Sequence, residues 1–147
     1  MQQGLLYLLA LAVGVGISLQ VGMNVTLRGV LMSPMVAALI SFLVGSLSLL
    51  VYILLTGAPW PVRGQAHLVP LWAWFGGLMG AFYVASSIVL GPRLGAAALL
   101  ALVVLGQLVT SLVLDHFGWL GFAQHPLTLT RTLGAALLFC GVLLIVR

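Results

Sequence analysis

The sequence predicts an all-α integral membrane protein of five transmembrane helices, and three observations carry that expectation. Hydrophobic residues make up 63% of the chain and charged residues 4%, with a mean hydropathy of +1.32. A soluble domain carries about 25% charged and about 45–50% apolar residues. Six charged side chains in 147 residues cannot cover a water-facing surface, and the apolar patches left bare would far exceed what a soluble monomer tolerates. In lipid the same composition is sensible, because the outside there should be apolar. Finally, the arginines and the Pro/Gly clusters cut the chain into five apolar pieces, each close to the roughly 20 residues a span needs.

The first span runs from about Gly4 to Leu27, before Arg28-Gly29. No Lys or Arg precedes its core, and the apolar run passes Ser18 without a small-x-small cleavage site, so it reads as a retained helix and not as a cleaved signal. The second covers residues 34–56, with Ser33 as N-cap, Pro34 at the first helical position and Thr56-Gly57 at its end. Residues 58–67, with Pro59 and Pro61, are too proline-rich to be helical. The third span is about Pro70 to Leu90, closed by Gly91-Pro92-Arg93, and the fourth about Gly95 to Leu114, closed by Asp115-His116. The longest loop is Phe117 to Thr128, and the fifth span is Thr130 to Val146. Trp60, Trp72, Trp74 and Trp119 fall at span ends, where interfacial aromatics belong.

All five cations are arginine, and the sequence pI is near 10.3. Arg28, Arg63, Arg93, Arg131 and Arg147 are dispersed, whereas nucleic-acid binders gather charge into a patch or stripe; no nucleic-acid partner is expected. Five spans put Arg28, Arg93 and Arg147 on one side and Arg63 and Arg131 on the other. Orientation follows the loop Lys/Arg bias, and three against two barely sets a direction. The majority places the N-terminus outside, and insertion both ways is the alternative. Cys140 is the one cysteine, so no internal disulfide or cysteine metal site exists.

Lipid gives helices no hydrophobic reason to associate, so small residues four apart mark close contacts. The first span has Gly14, Ser18 and Gly22; the second has Ala37, Ser41 and Gly45; the third has Gly76 and Gly80. These stripes are expected either to hold one bundle together or, in one case, to form a homodimer seam. Five helices are few to enclose a substrate path alone, which favours an oligomer.

Polar groups inside spans are costly and tend to face cavities or partners. Gln20 and Asn24 share a face of the first helix. Tyr83, Ser86 and Ser87 cluster near the end of the third, and Gln107 precedes Thr110 and Ser111 on the fourth. For the hydroxyls a bond to the carbonyl one turn back is the simpler account. For Gln20, Asn24 and Gln107, helix-to-helix bonding and substrate contact weigh equally. At 1.5 Å per residue Gln20 and Tyr83 lie about 10 Å in from the Arg28 side, and Gln107 about 10 Å in from the other. An inverted second copy would bring all three to one level. No ionisable residue lies deep in a span. Asp115 sits at a helix end beside His116 and close to Arg131, where a surface ion pair is expected; His67 and His125 are loop histidines. No nucleophile–base pair, metal-ligand set or phosphate loop is present, so neither catalysis nor a cofactor is expected.

Several segments together resemble one family. They are Gln20-x3-Asn24, Ser33-Pro34, Ser41-Phe42-x2-Gly45, Gly80-Ala81-Phe82-Tyr83-Val84, Pro92-x-Leu94-Gly95-Ala96-Ala97, Gly106-Gln107 and, most specific, Asp115-His116-Phe117-Gly118. Across nearly its whole length the chain resembles the YdcZ-like branch of the drug/metabolite transporter superfamily, bacterial inner-membrane proteins of one short repeat. Larger members of the superfamily look like two five-helix repeats fused in opposite orientations. The resemblance therefore implies an antiparallel homodimer, the unfused version of that design. Related small multidrug exporters carry a glutamate in their first helix, where this chain has Gln20 and Asn24, so their proton coupling does not carry over. The expectation is a transporter of small neutral or weakly charged molecules working by alternating access. The alternative is a non-transporting subunit that stabilises or regulates another membrane complex; a passive channel fits the lack of ionisable residues but not the small bundle. Only the transporter needs a matched polar layer.

Overall fold

The computed structural model describes residues 2–59 and 68–147. Trp60, Arg63 and His67, with the expected charge on that connection, lie outside the described residues. Five helices are long and apolar enough to cross a membrane, and the chain is an all-α integral membrane protein. They are α1 (Gln2–Leu31), α2 (Pro34–Thr56), α3 (Gly76–Leu94), α4 (Ala96–Phe117) and α5 (Leu129–Val146); a 3-10 turn, Leu71–Phe75, leads into α3. The helices fall into two compact units, residues 1–93 and 94–147.

In the first unit α1 packs on α2. The connection is only two residues long, which makes the two helices antiparallel neighbours. Met32 takes a left-handed conformation (φ 55°), and its N–H returns to the Arg28 carbonyl at 2.8 Å. Ser33 then caps α2 by accepting the Val36 N–H at 3.3 Å, with Pro34 at the first helical position. At the far end Gly57 (φ 63°) donates its N–H to the Ile53 carbonyl. The left-handed conformation there is open to glycine without a side-chain clash.

The unit's core is small. Ala37, Ala38, Val84 and Ile88 are buried, with Leu27, Leu31, Tyr83 and Ala85 packed against them. Alanines on α2 let the backbones approach, and Gly80 does the same opposite Phe42, where an added Cβ would lie 3.5 Å from the ring Cζ. Larger apolar side chains such as Leu5, Leu8, Leu47 and Leu54 stay exposed, as a lipid-facing surface requires.

Helix α3 departs from the sequence expectation. It does not stop at Leu90 but runs through Pro92 to Leu94. Pro92 has no N–H, so the carbonyl four residues earlier, on Ile88, lacks its helical donor. The Arg28 guanidinium supplies one, Nη1 donating to the Ile88 carbonyl at 3.1 Å. This bond also explains why α1 extends past the expected end at Leu27: Arg28 belongs to its last turn.

In the second unit α4 packs on α5. Gly95 (φ 79°) precedes α4, which runs to Phe117, three residues beyond the expected Leu114, and stops at Gly118 (φ 64°). A Cβ on Gly118 would lie 3.3 Å from the Gln124 Cβ, because the connection folds back over the end of α4. Helix α5 starts at Leu129, one residue earlier than expected. Thr128 is its N-cap, the hydroxyl accepting the Arg131 N–H at 3.3 Å.

Candidate substrate path

Between α1 and α2 lies an open groove of about 550 Å³, lined by Gln20, Ser41, Phe42, Gly45, Ser46, Ser48, Leu49 and Tyr52. Ser48 satisfies itself on the Val44 carbonyl one turn back at 2.9 Å. Gln20 is exposed to the groove and Ser41 is half-buried. Gln20 is eleven residues before the end of α1 at Leu31, about 16 Å along the helix. Tyr83 is likewise eleven residues before Leu94, about 16 Å, and Gln107 ten before Phe117, about 15 Å. The helices run past the apolar stretches, and the three residues keep similar distances from their helix ends. An amide or phenol near mid-membrane is costly against lipid.

Asn24 behaves differently from Gln20 although they are one turn apart. It is buried, 6% exposed, as is Ser87 at 3%. Ser87 donates its hydroxyl to the Tyr83 carbonyl at 2.8 Å, so it is a helix-satisfied serine. The Tyr83 hydroxyl is buried with no hydrogen-bond partner among the described residues. Arg28 and Ile88 fix the register of α1 against α3, which run the same way. One turn back on each, Asn24 and Val84 lie at one level. Ser86 faces neither: it lines a separate, mainly apolar groove of about 590 Å³ with Met35, Phe82 and Val89. The cluster Tyr83, Ser86 and Ser87 is thus divided between the interior of the unit and its surface.

In the second unit Gln107, Thr110 and Ser111 are exposed on α4. Asp115, His116 and Arg131 do come together. Arg131 Nη1 donates to Asp115 Oδ2 and to the His125 carbonyl, both at 3.2 Å. The His125 N–H returns to the Asp115 carbonyl at 2.7 Å. His116 Nδ1 accepts the Leu127 N–H at 3.2 Å, and the Gln124 amide donates to the His116 carbonyl at 3.0 Å. Phe117 stacks on Trp119 with centroids 4.8 Å apart. Each residue of Asp115-His116-Phe117-Gly118 therefore has a part in tying the connection to α4. Among the described residues no three His, Cys, Asp or Glu side chains converge.

Of the small-residue stripes, Gly80 meets a neighbour, while nothing lies within 4 Å of an added Cβ at Gly14, Gly22, Gly45 or Gly76. Ser18 and Thr26 bond the Gly14 and Gly22 carbonyls of their own helix at 3.1 and 3.0 Å. Among the described residues nothing packs closely on Gly14 or Gly22, so this stripe makes no close helix contact within the first unit. Arg28, read from sequence only as a loop charge, is a structural residue. The signal for it was present: a proline four residues after Ile88 guarantees a carbonyl in need of a donor.

Among the described residues five apolar helices, with amides and hydroxyls in place of charges along their middles, define a multi-pass all-α membrane protein. The chain belongs to the YdcZ family of the drug/metabolite transporter group: residues 5–144 match the family described as "Putative inner membrane exporter, YdcZ". It is 32% identical over 152 aligned positions to the "Inner membrane protein YdcZ" of Escherichia coli (strain K12), covering 99% of this chain and 93% of that one. The resemblance expected from the seven sequence segments is therefore the family found. No solved structure is significantly similar to the chain.

Proposed function

We propose that the protein is an inner-membrane transporter that moves a small neutral or weakly charged molecule by alternating access, as an antiparallel homodimer. The observation that carries the reading is the groove between α1 and α2, where Gln20 and serines line about 550 Å³ deep within the spans. An amide and hydroxyls are costly where they face hydrocarbon and useful where they face a solute. Family membership supports export as the direction. With no charge in the groove, recognition falls to amides, hydroxyls and the Phe42 and Tyr52 rings. Gln20, Asn24, Tyr83 and Gln107 are the substrate-pathway residues of this reading, Gln20 lining the groove and Asn24 buried within the same unit. The unpartnered Tyr83 hydroxyl supports this, since a buried donor without a partner costs about 1–3 kcal/mol. Inverting a second copy brings its Gln107 to the level of Gln20, and the uncovered Gly14–Ser18–Gly22 stripe is the seam candidate. No step in this scheme is catalytic.

Purified protein in liposomes, screened for saturable flux against a panel of small solutes, tests the proposal. Gln20→Leu and Gln107→Leu should express and dimerise like wild type yet lose flux, because a helix-to-helix hydrogen bond is worth only about 1 kcal/mol in a membrane. Variants that fall apart in detergent, with a folded remainder that still transports, would make both residues structural and defeat the assignment. That outcome, with pull-down of an unrelated membrane complex, would favour the non-transporting subunit.

A further inference from the structure

Arg28 is the best-placed unneutralised charge in the first unit. Its guanidinium carries five N–H donors, and the Ile88 carbonyl takes one of them. The chain has one acidic side chain, Asp115, and Arg131 holds that at 3.2 Å. No carboxylate side chain of this protein is therefore left to neutralise Arg28. Beside it is a pocket of about 330 Å³ lined by Val25, Arg28, Gly29, Met32 and Pro92. Nothing lies within 4 Å of an added Cβ at Gly29, so the floor of the pocket is open. The pocket sits in the last turn of α1, just past the apolar run that closes at Leu27, where the sequence places the membrane interface. The bond to Ile88 uses one guanidinium nitrogen and tethers the group beside the pocket.

We propose that the Arg28 pocket binds a phosphate ester. A planar guanidinium with free parallel N–H groups suits two phosphate oxygens. The apolar walls, Val25, Met32 and Pro92, suit the glycerol backbone and first methylenes of a phospholipid better than a hydrated soluble anion. A lipid is thus the source the lining favours, with an anionic headgroup preferred because its charge is not cancelled by an ammonium.

Native mass spectrometry of the full-length protein released from detergent tests this, with phosphatidylglycerol and phosphatidylcholine supplied in equal amounts. Wild type should retain phosphatidylglycerol about tenfold over phosphatidylcholine, whose ammonium cancels the net charge that meets Arg28 while leaving the same phosphate oxygens. Arg28→Gln should abolish the preference, whereas Arg147→Gln, which removes the same charge at an exposed end, should not. Gly29→Leu fills the pocket without touching the Arg28–Ile88 bond and should abolish it as well; its folding is checked by circular dichroism and by retained elution volume. Adduct that survives millimolar glycerol 3-phosphate makes lipid the source, and adduct displaced by it makes the ligand a soluble ester. Equal retention of the two lipids by wild type would overturn the proposal. So would a preference kept in both Arg28→Gln and folded Gly29→Leu, or lost equally in Arg147→Gln.

Discussion

Replacing Arg28 by Met removes the donor that serves the Ile88 carbonyl, and the size of the loss follows from where that carbonyl lies. Ile88 is fully buried, and the intrahelical donor that would normally reach it is missing because residue 92 is proline. A buried acceptor left without a partner costs about 1–3 kcal/mol. In the Pro92→Ala background the new alanine N–H takes the carbonyl, and the same Arg28→Met change should cost under about 1 kcal/mol. The coupling energy of the pair is therefore expected at about 1–2 kcal/mol, well above the roughly 0.5 kcal/mol scatter of independent sites. Reversible unfolding in zwitterionic mixed micelles, titrated with a denaturing detergent and followed by circular dichroism, gives the four free energies. The uncharged headgroup balance keeps any anion bound at Arg28 out of the comparison. Additive single effects would refute the idea that Arg28 compensates for Pro92.

Three further outcomes are expected. Asp115→Asn should lower stability by under about 1 kcal/mol, since the pair with Arg131 is partly exposed (38% for Arg131 and 26% for Asp115) and such pairs contribute about 0–1 kcal/mol. It should also keep substrate exchange and most gradient-driven uptake in proteoliposomes; uptake that vanishes while exchange persists would make Asp115 the coupling residue. C-terminal reporters active on either side of the membrane should both give signal if insertion is dual, and Lys residues added after Arg147 should then lock one orientation; signal from the cytoplasmic reporter alone excludes the antiparallel dimer. Gly80→Ala should be tolerated, because its Cβ would meet Phe42 at an ordinary 3.5 Å and alanine gains about 1 kcal/mol of helix propensity, whereas Gly80→Leu should separate α2 from α3 and lower the yield of folded protein in detergent.

Composition alone determined that this chain belongs in lipid. Six charges cannot solvate 147 residues, and a polypeptide in hydrocarbon must satisfy its backbone internally, so helices follow. Local chemistry was equally legible: Ser33-Pro34 opens α2 and Gly57 ends it as read, since capping depends on residues within one turn. The pairing of Asp115 with Arg131 was within reach because both lie at the helix ends that one connection joins. Helices α1, α3 and α4 run past the expected Leu27, Leu90 and Leu114, and α3 starts at Gly76 and not at Pro70, because hydropathy marks where apolar residues stop and not where hydrogen bonding stops. Pro92 looked like a terminator until an arginine sixty residues away from Ile88 proved to supply the missing bond. Periodicity placed Gln20 and Asn24 on one helical face, but only packing decided that Asn24 is buried and Gln20 opens to a groove. The glycine stripes show the same limit from the other side. Small residues permit close approach, and which stripe is used depends on the partner: Gly80 has Phe42, while Gly14, Gly22 and Gly45 meet nothing within 4 Å of an added Cβ among the described residues. In lipid no hydrophobic force selects among them, so the choice rests on shape and on hydrogen bonds that exist only once the helices meet.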